Sequence, residues 1–91
     1  MEQCRFTPNP DVIDTIINED EGTLIHLGSK LTYALNGTGV SIWTSLKEGC
    51  TLEEAVNRVQ EKFDAEPTVI WSDMKIFLEE LLERGLIRAA S

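Results

Sequence analysis

Between Val69 and Glu80, acidic and apolar side chains share one stripe of a predicted helix. The stripe consists of Val69, Asp73, Ile76 and Glu80, with Phe77 at its border. An isoleucine between two carboxylates indicates the edge of a groove more than a plain solvated face. A single exposed isoleucine is also common on solvated helix faces. The stripe therefore indicates a binding groove, with a plain solvated face as the alternative.

Residues suited to catalysis are few and scattered. His26 is the only histidine, and strand alternation places it opposite Ile25, which favours a surface role over a general base. The acidic runs Glu19-Asp20-Glu21 and Glu79-Glu80 lack the pocket that would separate their pKa values for acid-base work. The sequence contains no glycine-rich phosphate loop and no metal-ligand spacing. We therefore expect no catalytic residues, no cofactor and no metal.

Composition excludes further classes of protein. The 91 residues suffice for one small domain, and no segment approaches the run of about 20 apolar residues that spans a membrane. The formal charge of −8 repels a phosphate backbone, so nucleic acid is not expected as a partner. The polar start Met1-Glu2-Gln3 shows no secretory signal, which predicts a cytoplasmic protein. Cys4 and Cys50 are accordingly expected to be reduced and unpaired.

The first third of the chain predicts three strands. Residues 1–11 contain two prolines and no sustained pattern, and so are interpreted as an irregular arm. Strands are predicted for Val12–Ile17, Thr23–Leu27 and Leu31–Leu35, from their β-branched residues and alternating patterns. Turns at 18–22 and 28–30 make these strands a meander.

The remainder predicts three helices. Asn36 is positioned to cap the first, which Gly49 closes, and Thr51 opens the second with the capping box Thr51-Leu52-Glu53-Glu54. The third helix is predicted to begin near Pro67 or Thr68 and to stop at Gly85. Leu86 and Ile87 then form a short extended tail. Strands followed by helices predict an α+β fold, a winged helix-turn-helix-like domain over residues 12–91 with a three-stranded antiparallel sheet followed by three helices.

Two sequence patterns resemble the PqqD-like family, the leader-peptide-binding domains of the biosynthesis of ribosomally synthesised and post-translationally modified peptides (RiPPs). The pattern L-N-x-x-G-x-x-I-W falls on Leu35, Asn36, Gly39, Ile42 and Trp43. The pattern D-x-x-x-F-L-x-x-L falls on Asp73, Phe77, Leu78 and Leu81. The resemblance extends roughly from Val12 to Arg88. Gly37 departs from the family, in which proline or an acidic residue often follows the Leu-Asn pair.

The resemblance implies a non-catalytic binder that holds an extended leader peptide between the third strand and the third helix. The leader would add to the strand edge through main-chain hydrogen bonds and place apolar side chains in pockets. The peptide-binding residues would be Leu31, Thr32, Tyr33, Ala34 and Leu35 on the strand, and Val69, Asp73, Ile76, Phe77 and Glu80 on the helix. Implied partners are the leader region of a precursor peptide and a maturation enzyme, such as a radical SAM protein or a leader peptidase.

Several alternatives stay open at the level of sequence. If the third helix is rotated, the groove residues become Trp71, Lys75 and Leu82. Asp73 can cap backbone amides near the helix start or bind a donor on the leader. A winged-helix DNA-binding regulator shares the same order of elements, although the acidic third helix opposes contact with phosphate. A protein-binding adaptor outside peptide maturation and a homodimer formed through the same strand edge are further alternatives.

Overall fold

A computed structural model describes residues 5–64 and 66–89. The strands are β1 (Phe6–Pro8), β2 (Val12–Asn18), β3 (Glu21–His26), β4 (Thr32–Leu35) and β5 (Ile87–Ala89). The helices are α1 (Gly37–Lys47), α2 (Leu52–Phe63) and α3 (Pro67–Glu83). The predicted α+β winged-helix-like fold, with three meandering strands followed by three helices, is confirmed.

The main sheet contains β2, β3 and β4 in sequence order, all antiparallel. Alternation gives each strand one face toward the helices. Leu24 and Leu35 are buried on that face, while Ile13 and Ile25, which are cross-strand partners, lie on the other face. The helices therefore cover one side of the sheet, and β4 forms one of its two edges.

The capped starts of α1 and α2, which were predicted from local sequence, are both present. The Asn36 side chain accepts a hydrogen bond of 2.8 Å from the Gly39 amide, so Gly37 does not disturb the cap of α1. Thr51 and Glu54 form the reciprocal capping box at the start of α2. Asp64 ends α2 in the left-handed region at φ 49°, and α3 begins at Pro67. Short-range polar contacts thus position the starts of α1 and α2, whereas α3 begins at a proline without a side-chain cap.

The hydrophobic core lies between the sheet and the helices. From α3 it takes Ile70, Met74, Leu78 and Leu81, which share one face of the helix at helical spacing. Phe77 is only half-buried and packs against the core from its border. The opposite flanks of α3 are left exposed, with Ile76 57% and Leu82 42% accessible.

Asp14 on β2 ties the sheet to α1. The Trp43 indole Nε1 donates to Asp14 Oδ2 over 3.0 Å, and Lys47 Nζ donates to the same oxygen over 2.6 Å. Burial would raise the pKa of Asp14, but the hydrogen bonds from Lys47 and Trp43 and the lysine charge together hold it below its usual 3.8. This link therefore stabilises the fold at neutral pH, and its contribution is lost as the pH falls through the lowered pKa.

The prediction of an irregular arm for residues 1–11 is wrong at residues 6–8. Phe6, Thr7 and Pro8 form β1, which pairs with β5 in a separate two-stranded sheet. Asn9 secures the pair, since its side-chain amide donates to the Gly85 carbonyl over 2.8 Å. Pro8 is compatible with this short strand because proline occurs at strand ends and edges. Cys4 lies outside the described residues.

The extended tail predicted at Leu86 and Ile87 is present, but β5 pairs with β1 and not with the main sheet. Gly85, at φ 71°, makes the turn between α3 and β5 in a conformation that favours glycine. In the described ranges 5–64 and 66–89, no helix has the length and apolar character needed to cross a membrane.

Candidate peptide-binding site

The edge of β4 carries unpaired main-chain groups. The His26 amide donates to the Leu31 carbonyl over 2.9 Å, and the register pairs Leu24 with Tyr33. In an antiparallel ladder the residues that bond the neighbouring strand alternate with residues whose N–H and C=O groups point away from it. Thr32 and Ala34 therefore direct their main-chain groups to the open side. Because β4 ends the sheet and β1 pairs with β5, no described strand occupies that side.

Tyr33 joins β4 to α3. Its hydroxyl donates to Glu80 Oε2 over 2.5 Å, and its ring lies 6.1 Å from the Phe77 ring, centroid to centroid. The Arg84 guanidinium sits 5.5 Å from the centre of the tyrosine ring, within the range of a cation–π contact. The flank of α3 that faces β4 is therefore the one that carries Phe77 and Glu80.

The rotated alternative is wrong for this fold. Trp71, Lys75 and Leu82 line a separate apolar cavity of about 430 Å³ together with Phe6 and Leu52. That cavity, called here the Trp71 cavity, involves none of the residues of β4. The sequence could not choose between the flanks because helical periodicity does not show which of two apolar borders meets the strand.

The pKa of Tyr33 is raised from 10.0 to about 12 by burial near α3, by the hydrogen bond to Glu80 and by the charge of that carboxylate. The charge of Arg84 acts in the opposite direction. A proton on the hydroxyl is required for the bond to Glu80. The resulting stabilisation is therefore fully present below pH 10 and is lost as the pH rises through about 12.

We expect this shift to be directly measurable, because Tyr33 is the single tyrosine of the chain. An ultraviolet titration of its phenolate should give a midpoint of about 12 in the folded protein and near 10 in denaturant. Glu80→Gln should lower the folded midpoint, since it removes the negative charge. A folded wild-type midpoint near 10 would be incompatible with the contact between Tyr33 and Glu80.

Two cavities adjoin this cluster and share Asn36 and Phe77. The first, of about 260 Å³, lies between the start of α1 and the exposed flank of α3. It is lined by Asn36, Thr38, Gly39, Ile42, Asp73, Ile76, Phe77 and Glu80. Ile42, Ile76 and Phe77 thus form an apolar floor beside the carboxylates of Asp73 and Glu80. No basic residue is among the side chains that line this cavity. The first turn of α1 adds amide groups that can donate to a ligand.

The second cavity, of about 530 Å³, follows the far end of β4. It is lined by Tyr33, Ala34, Leu35, Asn36 and Phe77, and by Ile17, Asp20, Glu21, Gly22 and Thr23 around the β2–β3 turn. The two cavities together are called here the β4–α3 groove. A chain that pairs with Thr32 and Ala34 and continues toward Asn36 would run along this groove.

The structure brings most of the predicted peptide-binding residues together. Tyr33, Ala34 and Leu35 line the groove from the strand, and Asp73, Ile76, Phe77 and Glu80 line it from the helix. Thr32 lies on the open edge, and Leu31 lies just before β4. Val69 is 52% exposed in the first turn of α3 and lines neither cavity.

Asp73 lies well inside α3 and not at its start, where Glu66 is the N-cap residue. The interpretation that Asp73 caps the amides of its own helix is therefore wrong. Its carboxylate instead shares the smaller cavity with the first turn of α1, whose dipole favours a negative charge. The alternative interpretation, that Asp73 binds a donor on a leader peptide, stays a prediction.

Residues that the sequence did not assign to the groove come mainly from α1 and from the β2–β3 hairpin. Thr38 and Gly39 lie in the first turn of α1, Asp20 lies in the β2–β3 turn, and Glu21 begins β3. The Asn36 cap located the start of α1 in the chain, but it gave no information on its distance from α3. Arg84, above Tyr33, was also missed because it follows the predicted stripe by one turn.

Other candidate chemistry is absent from the part of the chain that the structure describes. No group of three or more histidine, cysteine or acidic residues there is arranged to hold a metal ion. His26 Nδ1 accepts hydrogen bonds from the Gly28 and Ser29 amides at 3.0 and 3.3 Å, which assigns it to the β3–β4 turn. Cys50 is a buried free thiol.

The fold and the groove define a winged-helix-like α+β domain with a vacant strand edge beside its third helix. The chain belongs to the PqqD family, since residues 21–87 match the family described as coenzyme PQQ synthesis protein D (PqqD). No curated protein matches the chain.

A solved structure described as "TbiB1 in Complex with the TbiA(beta) Leader Peptide" has the same fold. It superposes with a TM-score of 0.84 and is 26% identical in sequence. The match covers 93% of this chain and 98% of that one.

Proposed function

We propose that this protein binds the leader segment of a ribosomally synthesised precursor peptide, without catalysis, and presents the peptide to a maturation enzyme. The observation that carries the proposal is the open edge of β4 beside the β4–α3 groove. Membership of the PqqD family and the likeness to TbiB1, a protein solved with a leader peptide, support it.

The leader adds to the sheet as a further strand. Thr32 and Ala34 supply donors and acceptors that pair with any extended main chain, so this contact provides affinity without reading sequence. Alternate side chains of the added strand point to opposite faces, and those on the α3 side enter the groove. Selectivity then depends on Ile76 and Phe77 and on the neighbouring carboxylates.

The charge of the groove favours basic residues in the leader. Asp73 and Glu80 line the smaller cavity, and Asp20 and Glu21 line the larger one, in a protein of formal charge −8. Opposite charges increase the rate of association and disfavour acidic competitors. We therefore propose leaders that place lysine or arginine near their apolar anchor residues.

The presenting role follows from tethering. A leader held on β4 raises the local concentration of the attached core peptide at a nearby active site, so modest leader affinity suffices for efficient turnover. The recipient is a maturation enzyme, such as a radical SAM protein or a leader peptidase.

The proposal predicts that changes on the groove flank of α3 weaken leader binding. A fluorescently labelled synthetic leader peptide should lose at least about tenfold in affinity on Ile76→Glu, because a charge enters an apolar contact. Asp73→Ala should reduce affinity by a few fold, mostly through a lost charged hydrogen bond. Fluorescence anisotropy gives both dissociation constants.

Matched controls lie on the other flank of α3. Leu82→Glu introduces the same charge at an exposed apolar residue that lines the Trp71 cavity, and Glu79→Ala removes a carboxylate there. Both variants should bind the leader as the wild type does. Loss of affinity in Leu82→Glu together with normal binding by Ile76→Glu would place the leader on the opposite side of α3.

A further inference from the structure

A further cavity, of about 430 Å³, lies beside β2, at the opposite edge of the main sheet from β4. Side chains of β2, α1 and α2 contribute to its walls. None of its lining residues lines the β4–α3 groove or the Trp71 cavity. It is called here the Arg58 cavity, and its basic, hydroxyl and apolar lining residues include Arg58, Lys62, Ser41, Thr44, Ile16 and Val40.

Two basic side chains from successive turns of α2 line this cavity. Arg58 and Lys62 are four residues apart, so they lie on the same face of the helix. Ser41 and Thr44, three residues apart on α1, add hydroxyl donors. The chain has 16 acidic and 8 basic residues, and the smaller cavity of the β4–α3 groove is lined by carboxylates alone among charged groups. The Arg58 cavity therefore has the opposite electrostatic character.

The basic groups of this cavity hold carboxylates of the chain itself, but only weakly. Arg58 Nη1 donates to Glu48 Oε1 over 3.1 Å, which uses one of the five N–H donors of the guanidinium. Lys62 Nζ lies 3.5 Å from Glu19 Oε1, longer than an ordinary charge-assisted hydrogen bond, and the Glu19 side chain is 80% exposed. Such exposed ion pairs contribute little to stability, so a carboxylate from outside can replace Glu19 at small cost.

We propose that the Arg58 cavity binds a small organic acid, with its carboxylate between Arg58 and Lys62 and its apolar body against Ile16 and Val40. A guanidinium binds both oxygens of a carboxylate in parallel, and the lysine adds a point charge. The volume falls within the range of about 300–1,000 Å³ that is usual for small-molecule sites. The inference is independent of the proposed function, because no residue of the β4–α3 groove takes part.

Both parts of the ligand are needed for affinity. A small anion alone gains only exposed charge contacts, which salt screens, and an apolar chain alone leaves the basic groups unused. Sodium octanoate is therefore the probe, with acetate and 1-octanol as the comparisons that lack one part each. Octanoate should bind the full chain saturably with a dissociation constant below about 1 mM, and at least about tenfold more tightly than either comparison.

The test is a titration followed by the amide chemical shifts of the protein in nuclear magnetic resonance. The double variant Arg58→Gln/Lys62→Gln removes both charges and keeps long polar side chains, and it should weaken octanoate binding by at least about tenfold. Lys75→Gln/Arg88→Gln removes the same charge elsewhere and should stay within about twofold of wild type. All four replaced residues are exposed, so circular dichroism should show both variants folded.

The proposal is overturned if the wild type binds octanoate more weakly than about 1 mM, or if Arg58→Gln/Lys62→Gln binds it as tightly as wild type. It is also overturned if 1-octanol binds as tightly as octanoate, since the basic pair then contributes nothing. Lys75 lines the Trp71 cavity, so loss of binding only in Lys75→Gln/Arg88→Gln would assign the acid to that cavity and reject the Arg58 cavity.

Discussion

Replacing Ala34 with proline is expected to weaken leader binding by at least about tenfold, or roughly 1.4 kcal/mol, while the domain stays folded. The Ala34 N–H points to the open side of β4, so proline removes no hydrogen bond to β3. Proline is tolerated at such edge positions and restricts the preceding residue to extended conformations, which Tyr33 already adopts in β4. A leader strand added to β4 would no longer find the N–H donor of residue 34, and the proline ring would stand in its place.

Ala34→Val is the matched control for this variant. It enlarges the same side chain with a β-branched residue suited to strands and keeps the N–H group. Anisotropy with labelled leader should show near-normal affinity for Ala34→Val, and circular dichroism should show both variants folded. If Ala34→Pro bound the leader as well as wild type, main-chain pairing with β4 would not be the binding mode.

The second large effect concerns the packing that holds the groove in place. Trp43→Ala should destabilise the domain by about 3–5 kcal/mol, since it deletes a large side chain from the core. Trp43 is 1% exposed and its indole also bonds Asp14, so the variant leaves a cavity between the sheet and α1. Because the first turn of α1 lines the smaller cavity, leader affinity should fall as well.

Urea denaturation followed by circular dichroism measures this change in the free energy of unfolding. Trp43→Phe retains much of the packing and should cost clearly less than Trp43→Ala. Trp71→Ala, at the half-buried tryptophan of the Trp71 cavity, should also cost less, because that side chain is not enclosed. Equal stability of Trp43→Ala and wild type would show that α1 does not pack as described.

Local contacts explain how much of the fold the sequence could predict. Asn36 and the pair Thr51 and Glu54 form hydrogen bonds with residues three positions away, so their signals are contained in short segments. The core face of α3 follows from the 3.6-residue period, and Ile70, Met74, Leu78 and Leu81 are buried as that period predicts.

Non-local pairing explains the main error. The strand β1 exists because Phe6 pairs with Ala89 and Pro8 with Ile87, from opposite ends of the chain. A three-residue segment containing proline has no periodicity by which it can be recognised. Its stability derives from its partner strand and from the burial of Phe6.

In the candidate site, too, the features with local signals could be predicted and those that depend on non-local contacts could not. The carboxylates and Ile76 on α3 could be predicted from helical spacing, and β4 from alternation. Their mutual arrangement depends on the rotation of α3, which Tyr33 fixes through Glu80 and Phe77 across 47 and 44 residues of sequence. No pattern confined to one element contains that information, and the contribution of Thr38 and Gly39 to the groove is hidden for the same reason.

Amide hydrogen exchange followed by nuclear magnetic resonance, with and without the leader, shows whether the leader pairs with the edge of β4. In the free protein the Thr32 and Ala34 amides should exchange rapidly, since they face the open edge. Saturating leader should slow both of them strongly and leave the residues of the Trp71 cavity unchanged. Leader binding at β4 is contradicted if the leader binds and these two amides keep their rapid exchange while protection appears elsewhere.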